Sequence, residues 1–342
     1  MMRAQVWGLL VLTVLISSTL AQPGDLKTHM DTYFSKLERA GKFSGAVLVA
    51  KGNNVILRAG YGLANRESRV PFTPETPHHV ASISKMMTAF AALKLRDQKR
   101  LKLEDHICIH IPDCPAQWRE ITIKHLIRHT SGIPDYEEKL GLYSDKYLEF
   151  MTQQGATERL IEQARTQALE FKPGSEFHYS NPAYIVLASI IELVTGEPFN
   201  DAVRKLVLEP AGLTHSGFAA PENVSLGYTK NWQRIPRLSL EPPAGDAALV
   251  STLEDLFKWS LAMDDPKMLE IFAPGLAGYG YGWFVDSRMK RKRYVHTGEL
   301  PGYRTVFVKF PKDRVTIIIF ANQDQAPTEL MTREITKLVF GQ

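Results

Sequence analysis

Apolar residues recur at helical spacing near the start of the chain. Leu26, Met30, Tyr33, Phe34 and Leu37 share one face of a predicted amphipathic helix from Asp25 to Ala40. The pattern then becomes an unbroken apolar run, Gly45 to Ala50, followed by a turn signal at Gly52-Asn53-Asn54. A second run, Val55 to Arg58, completes a predicted hairpin. Helical patterning returns at Ser82, with Met86, Met87, Phe90 and Leu93 among good helix formers from Lys85 to Leu95. From there to about Met268 the chain reads as helices joined by Pro/Gly-rich loops. Examples are Ala156 to Leu169 and Pro182 to Thr195, the latter stopped by Gly196. Ser251-Thr252-Leu253-Glu254-Asp255-Leu256 reads as a capping box opening another helix. Strands return at the end, over Gly280 to Val285, Arg293 to His296, Tyr303 to Phe310 and Val315 to Ala321. Their short links predict antiparallel pairing, and Thr328 to Phe340 reads as a closing helix. Strands at both ends with helices between them predict an α+β fold, one sheet with a helical insertion. There is no internal repeat.

The composition is that of a soluble globular protein: 342 residues, 44% hydrophobic and 23% charged. A net charge of +4 is mild, and no clustered basic face points to nucleic acid. The one dense run, Lys290-Arg291-Lys292-Arg293, lies between apolar segments and reads as a solvated hairpin turn. The first 21 residues have the form of a signal peptide. Arg3 is positive, Val6 to Ile16 is apolar and too short to span a bilayer comfortably, and Thr19-Leu20-Ala21 offers a cleavage site. No cysteine follows for lipid attachment. A later apolar run, Ile185 to Val194, is also too short and carries Glu192. The expectation is an exported protein, periplasmic or extracellular, with no membrane span after cleavage. Cys108 and Cys114, the two cysteines, form a disulfide or remain free thiols; without a Cys-x-x-Cys spacing, a metal site with His106 and His110 is the weaker third option.

Three short motifs carry the chemistry. In Ser82-Ile83-Ser84-Lys85, residues three apart share a helix face, so Lys85 can reach back to the Ser82 hydroxyl and take its proton. A helix start there would also offer N–H groups to an oxyanion. By itself the motif reads rather as a helix cap with an exposed lysine. A second match, Ser287-Arg288-Met289-Lys290, has no helical run behind it. Tyr179-Ser180-Asn181 supplies a possible proton shuttle and an amide able to face both substrate and lysine. His296-Thr297-Gly298 ends a predicted strand, where glycine permits close approach of a substrate.

In this order the SxxK, YxN and HTG elements resemble the serine β-lactamase and penicillin-binding-protein superfamily. The YxN form is similar to class C β-lactamases and their DD-peptidase and esterase relatives. Lys124-His125-Leu126-Ile127-Arg128-His129-Thr130-Ser131-Gly132-Ile133, Phe171-Lys172-Pro173-Gly174 and Leu249-Val250-Ser251-Thr252 resemble further segments of that branch. The resemblance runs from about Phe34 to Phe340. It implies a β-lactamase/transpeptidase-like fold, with a sheet lobe at about 22–80 and 275–342 and a mainly helical lobe at about 81–274. It implies Ser82 as acylated nucleophile, Lys85 as its base, Tyr179 as the proton carrier to the leaving group and Asn181 as the holder of the substrate amide. Backbone N–H groups of Ser82 and Glu299 would form the oxyanion hole. By their own chemistry, Thr297 beside Gly298 could bind a substrate carboxylate, and His296 could orient the tyrosine or supply positive charge. His296 departs from the pattern, since class C β-lactamases usually have lysine there. A histidine is not permanently charged at neutral pH, which weakens recognition of a β-lactam carboxylate.

The expected activity is acyl-enzyme hydrolysis of D-amino-acid peptides, small esters or β-lactams, without metal or organic cofactor. The main rival is a sensor that binds penicillin or peptidoglycan fragments without turnover. Metal hydrolysis through His125 and His129 lacks a His-Glu-x-x-His pattern, and an α/β-hydrolase lacks Gly-x-Ser-x-Gly.

Overall fold

The computed structural model describes residues 23–238 and 244–341. The expected signal peptide lies outside the described residues. The chain begins with α1 (Pro23–Arg39), the hairpin β1 (Gly45–Lys51) and β2 (Asn54–Tyr61), and the short strands β3 (Leu63–Asn65), β4 (Val70–Pro71) and β5 (His78–His79). A helical lobe follows: α2 (Ser84–Asp97), α3 (Ile123–Ile127), α4 (Tyr136–Leu140), α5 (Asp145–Met151), α6 (Ala156–Thr166), α7 (Asn181–Thr195) and α8 (Phe199–Val203). β6 (Val250–Ser251) and α9 (Leu253–Ala262) lead back to β7 (Phe284–Arg288), β8 (Arg291–Leu300), β9 (Tyr303–Phe310), β10 (Val315–Ala321) and α10 (Thr328–Phe340).

The main sheet has six antiparallel strands in the order β2-β1-β10-β9-β8-β7. The two ends of the chain meet where β1 pairs with β10, from Gly45↔Ala321 to Lys51↔Val315. Strand alternation splits the apolar residues between two cores. Val47, Val49, Ile317 and Ile319 pack with Met30 and Phe34 of α1 and Met331 and Ile335 of α10. Ala46, Leu48, Ala50, Ile318 and Phe320 face the larger core shared with α2, α7 and α9. Burial on both faces explains why these strands read as continuous apolar runs rather than alternating ones. α2 is buried along most of its length and joins the lobes.

Several elements differ from the sequence expectation. The helix expected from Ser82 starts at Ser84, after a 3-10 turn at Ala81–Ile83. The strand expected at Gly280 to Val285 is displaced to Phe284–Arg288. Gly282 has φ of 81° and lies so close to α2 that a Cβ there would sit 3.0 Å from the Lys85 carbonyl, so this stretch turns instead of pairing. Only the first residue of the basic run is in a turn. Met289 and Lys290 form the bend with φ of 52° and 59°, and Arg291 to Arg293 already belong to β8. The second SxxK match runs from the last residues of β7 into this bend, away from any helix.

Cys108 and Cys114 are joined in a disulfide. Among the described residues no single helix is long and apolar enough to cross a membrane. The apolar residues of α7 are core, with Ile185, Leu187, Ile190 and Ile191 buried.

Candidate active site

Ser82 stands in the 3-10 turn before α2, half-buried, between the sheet and the helical lobe. Three contacts fix that turn. Ser84 Oγ donates to the Ala81 carbonyl (2.6 Å) and accepts from the Leu249 N–H (2.9 Å), and the Val80 N–H donates to the Leu249 carbonyl (3.0 Å). Ala81 has φ of 51°, the left-handed region that a non-glycine residue rarely enters. The surrounding bonds hold this conformation and present the Ser82 hydroxyl to the cleft.

Lys85 is fully buried one turn on. Its Nζ donates to Ser82 Oγ (3.0 Å), Asn181 Oδ1 (2.7 Å) and the backbone carbonyl of Asp246 (3.0 Å). Burial lowers its pKa to about 8, against the opposing pull of Asp246, Glu137 and Asp135. The orientation of Asn181 is set from behind, because its Nδ2 donates to both carboxylate oxygens of Asp135, at 3.3 and 3.2 Å. A carboxylate can only accept, so the amide oxygen must face Lys85. Asp246 is buried, and its carboxylate accepts from the Tyr136 hydroxyl (2.9 Å). Burial raises the carboxyls of Asp135, to about 6, and Glu137, to about 8.

Tyr179 places its ring 4.9 Å from Lys85 Nζ. Burial pushes this phenol well above its ordinary pKa, opposed by the neighbouring Ser82 hydroxyl. It is therefore protonated at neutral pH. The ring stacks on His129, with centroids 4.2 Å apart. His129 accepts a 3.0 Å bond from the Ser180 N–H at Nδ1, so it carries its proton on Nε2. His125 instead caps α3 by accepting from the Thr122 N–H. The two histidines thus serve different neighbours.

His296 is buried, and both ring nitrogens are engaged. Nδ1 bonds the Thr297 carbonyl (2.7 Å), which fixes the proton there and leaves Nε2 to accept from the Tyr279 hydroxyl (3.1 Å). Burial and Lys85 lower its pKa to about 3, so it is uncharged. Its hydrogen-bond partner is Tyr279 rather than Tyr179, whose ring centroid is 6.2 Å away.

Strand β8 forms the opposite wall. A Cβ on Gly298 would lie 2.2 Å from the Val80 carbonyl, so only glycine lets the strand pack on the nucleophile turn. The β7 ladder ends at Phe284↔Val295, which leaves β8 beyond that point without a partner on its outer edge. On its inner edge, Leu300 and Tyr303 flank the two-residue turn Pro301-Gly302 and exchange bonds. Alternation along the ladder then points the Glu299 N–H outward, to the free edge. The side chain of Thr297 is exposed on the face opposite His296, and that of Glu299 lies on the same face as Thr297.

The fold brings the expected Ser82, Lys85, Tyr179 and Asn181 together beside β8. Sequence reasoning missed Asp135, Tyr136, Glu137, Asp246 and Tyr279. The one available signal was Asp135-Tyr136-Glu137, two residues beyond the Thr130-Ser131-Gly132 segment, where Asp135 is the N-cap of α4.

This arrangement of sheet, helical lobe and serine–lysine–tyrosine cleft defines a class of serine hydrolases. A sequence model of the beta-lactamase family matches residues 30–339, and the chain belongs to that family. It is 26% identical to penicillin-binding protein 4* of Bacillus subtilis (strain 168), in an alignment covering 92% of this chain and 76% of that protein. Its fold matches the octameric penicillin-binding protein homologue from Pyrococcus abyssi with a TM-score of 0.80 and 26% identity, over 92% of this chain and 77% of that one. The penicillin-binding protein from Bacillus halodurans gives 0.76 at 26% identity, over 90% and 98% of the two chains.

Proposed function

We propose that the protein is an exported hydrolase that cleaves amides or esters through an acyl-enzyme on Ser82. The observation that carries this reading is the set of three partners around Lys85 Nζ. Two of them, Asn181 Oδ1 and the Asp246 carbonyl, can only accept. When the amine is neutral its two protons remain with those acceptors, and its lone pair faces Ser82 Oγ at 3.0 Å. The base is thus aimed by its other partners. As Oγ attacks the substrate carbonyl, its proton passes to Lys85. The oxyanion is received by the N–H groups of Ser82 and Glu299. Tyr179, kept protonated by burial, gives its proton to the leaving nitrogen or oxygen and is reprotonated from Lys85. Water then attacks the acyl-enzyme by the reverse relay.

The charges around the cleft bear on the substrate. His296 is uncharged, and the carboxylates of Asp246 and Asp135 favour positive charge at Lys85. The site therefore favours neutral or cationic acyl donors such as small esters and D-aminoacyl amides over carboxylate-bearing β-lactams. The export assignment rests on the N-terminal pattern, with a disulfide compatible with an oxidising compartment.

Intact-mass spectrometry with a penicillin and with small ester and D-aminoacyl amide substrates tests this reading, with Ser82→Ala as control. The expected result is a transient adduct on Ser82 and product formation from the uncharged substrates, both absent in the variant. Turnover that survives Ser82→Ala would refute it. A lasting adduct with no product from any substrate would instead support a sensor.

A further inference from the structure

We propose that Tyr143 is a specificity-determining residue that limits how far a substrate extends along the free edge of β8. This rests on the hydrolase reading above. Tyr143 belongs to the helical lobe, in the corner between α4 and α5, yet its partners are on the sheet. Its hydroxyl donates to Glu299 Oε2 (3.1 Å) and accepts from Arg304 Nη2 (3.0 Å). Arg304 Nη1 in turn donates to Glu299 Oε1 (2.5 Å). Tyr143 thus bridges the two lobes at the residue whose backbone N–H faces the cleft, across an edge that β7 does not cover. Its own base is well defined. Gly141 ends α4 with φ of 73°, and Ser144 caps α5 by accepting from the Tyr147 N–H (3.0 Å). Tyr136, Leu140, Tyr147, Met151 and Leu160 form a small separate core beneath the corner.

Behind this bridge lies a groove of about 780 Å³ between the sheet and α10, whose lining includes Glu299, Arg304, Val295, Val306 and Leu330. Its floor is apolar and its rim is charged. A substrate chain running past Glu299 would reach this groove, and Tyr143 holds the Glu299 and Arg304 side chains that line it. The chemical class favoured once it is removed is a long apolar ester or amide, while the intact latch selects short ones.

Alkyl fluorophosphonates read this without requiring turnover. Ser82 Oγ bonds to phosphorus, the P–F bond breaks, fluoride leaves and the serine proton passes to Lys85. Rates of adduct formation with a short (ethyl) and a long (octyl) probe are compared by intact mass for wild type, Tyr143→Ala and Tyr143→Phe, with Ser82→Ala as control. Tyr143→Ala should raise the octyl-to-ethyl rate ratio about tenfold, and Tyr143→Phe, which keeps the ring but loses the latch, about threefold. The ethyl rate should stay within about twofold of wild type. An adduct on Ser82 with the ratio unchanged in Tyr143→Ala would overturn this proposal alone. Failure to label Ser82 in every variant would overturn the hydrolase reading and this one with it.

Discussion

At Lys85 the decisive quantity is which proton is free to move. An exposed lysine would remain an ammonium until well above pH 10. Here burial lowers the pKa to about 8, so the neutral base is populated near physiological pH. The value of kcat/KM for a small ester should therefore rise as pH increases through about 8 and level off above it. Asp246 acts in the opposite direction, since its negative charge favours the ammonium. Asp246→Asn should move the rising limb to lower pH, and a limb displaced upward would contradict this assignment. Asp135 acts one residue further back, by holding the Asn181 amide. Asp135→Ala frees that amide to rotate and should cost about 10–100-fold in kcat/KM, the worth of a charge-assisted hydrogen bond. Asp135→Asn keeps an acceptor and should recover part of the loss. Equal losses in both variants would show that the charge matters rather than the orientation.

Among the elements, β8 and the turn before α2 act as a pair. Gly298 lets them touch, and a Cβ there has no room beside the Val80 carbonyl. Gly298→Ala should destabilise the protein by about 3 kcal/mol through overpacking, measured as a lower urea midpoint. It should also slow acylation, because the shift separates the Glu299 N–H from Ser82. Normal stability with normal acylation would mean that the two elements do not meet as described. The 3-10 turn itself matters in the same way. It displaces Ser82 from the helix proper, so the hydroxyl meets Lys85 across a turn held by Ser84 and Leu249.

For the whole molecule, the site depends on two lobes being held together, and α2 is the element that both share. The disulfide lies apart from the cleft, in the helical lobe, where Cys108 and Cys114 pack against the edge of the main core. The two positions are six apart along the chain. Replacing both cysteines by serine should lower stability by about 2 kcal/mol through the unfolded chain's entropy, with kcat/KM for small esters unchanged. A parallel loss of activity would show that the loop supports the cleft directly.

The sequence by itself determined the sheet built from both ends of the chain, because apolar runs at residues 45–50 and 315–321 are too continuous for exposed strands. It also placed Ser82 and Lys85 side by side, since they are close along the chain, although the 3-10 turn rather than the helix itself sets how they meet. Tyr179 and Asn181 were legible through their order and context. The tertiary structure alone decided the rest. Asp135 meets Asn181 from 46 residues away, and the Asp246 carbonyl reaches Lys85 from 161 residues away. No local periodicity encodes such distances. The same holds for Tyr279, which occupies His296, and for Tyr143, which crosses between lobes to Glu299. Local patterns record how a segment meets the hydrophobic core. The state of a buried charge depends instead on every group that folding brings around it.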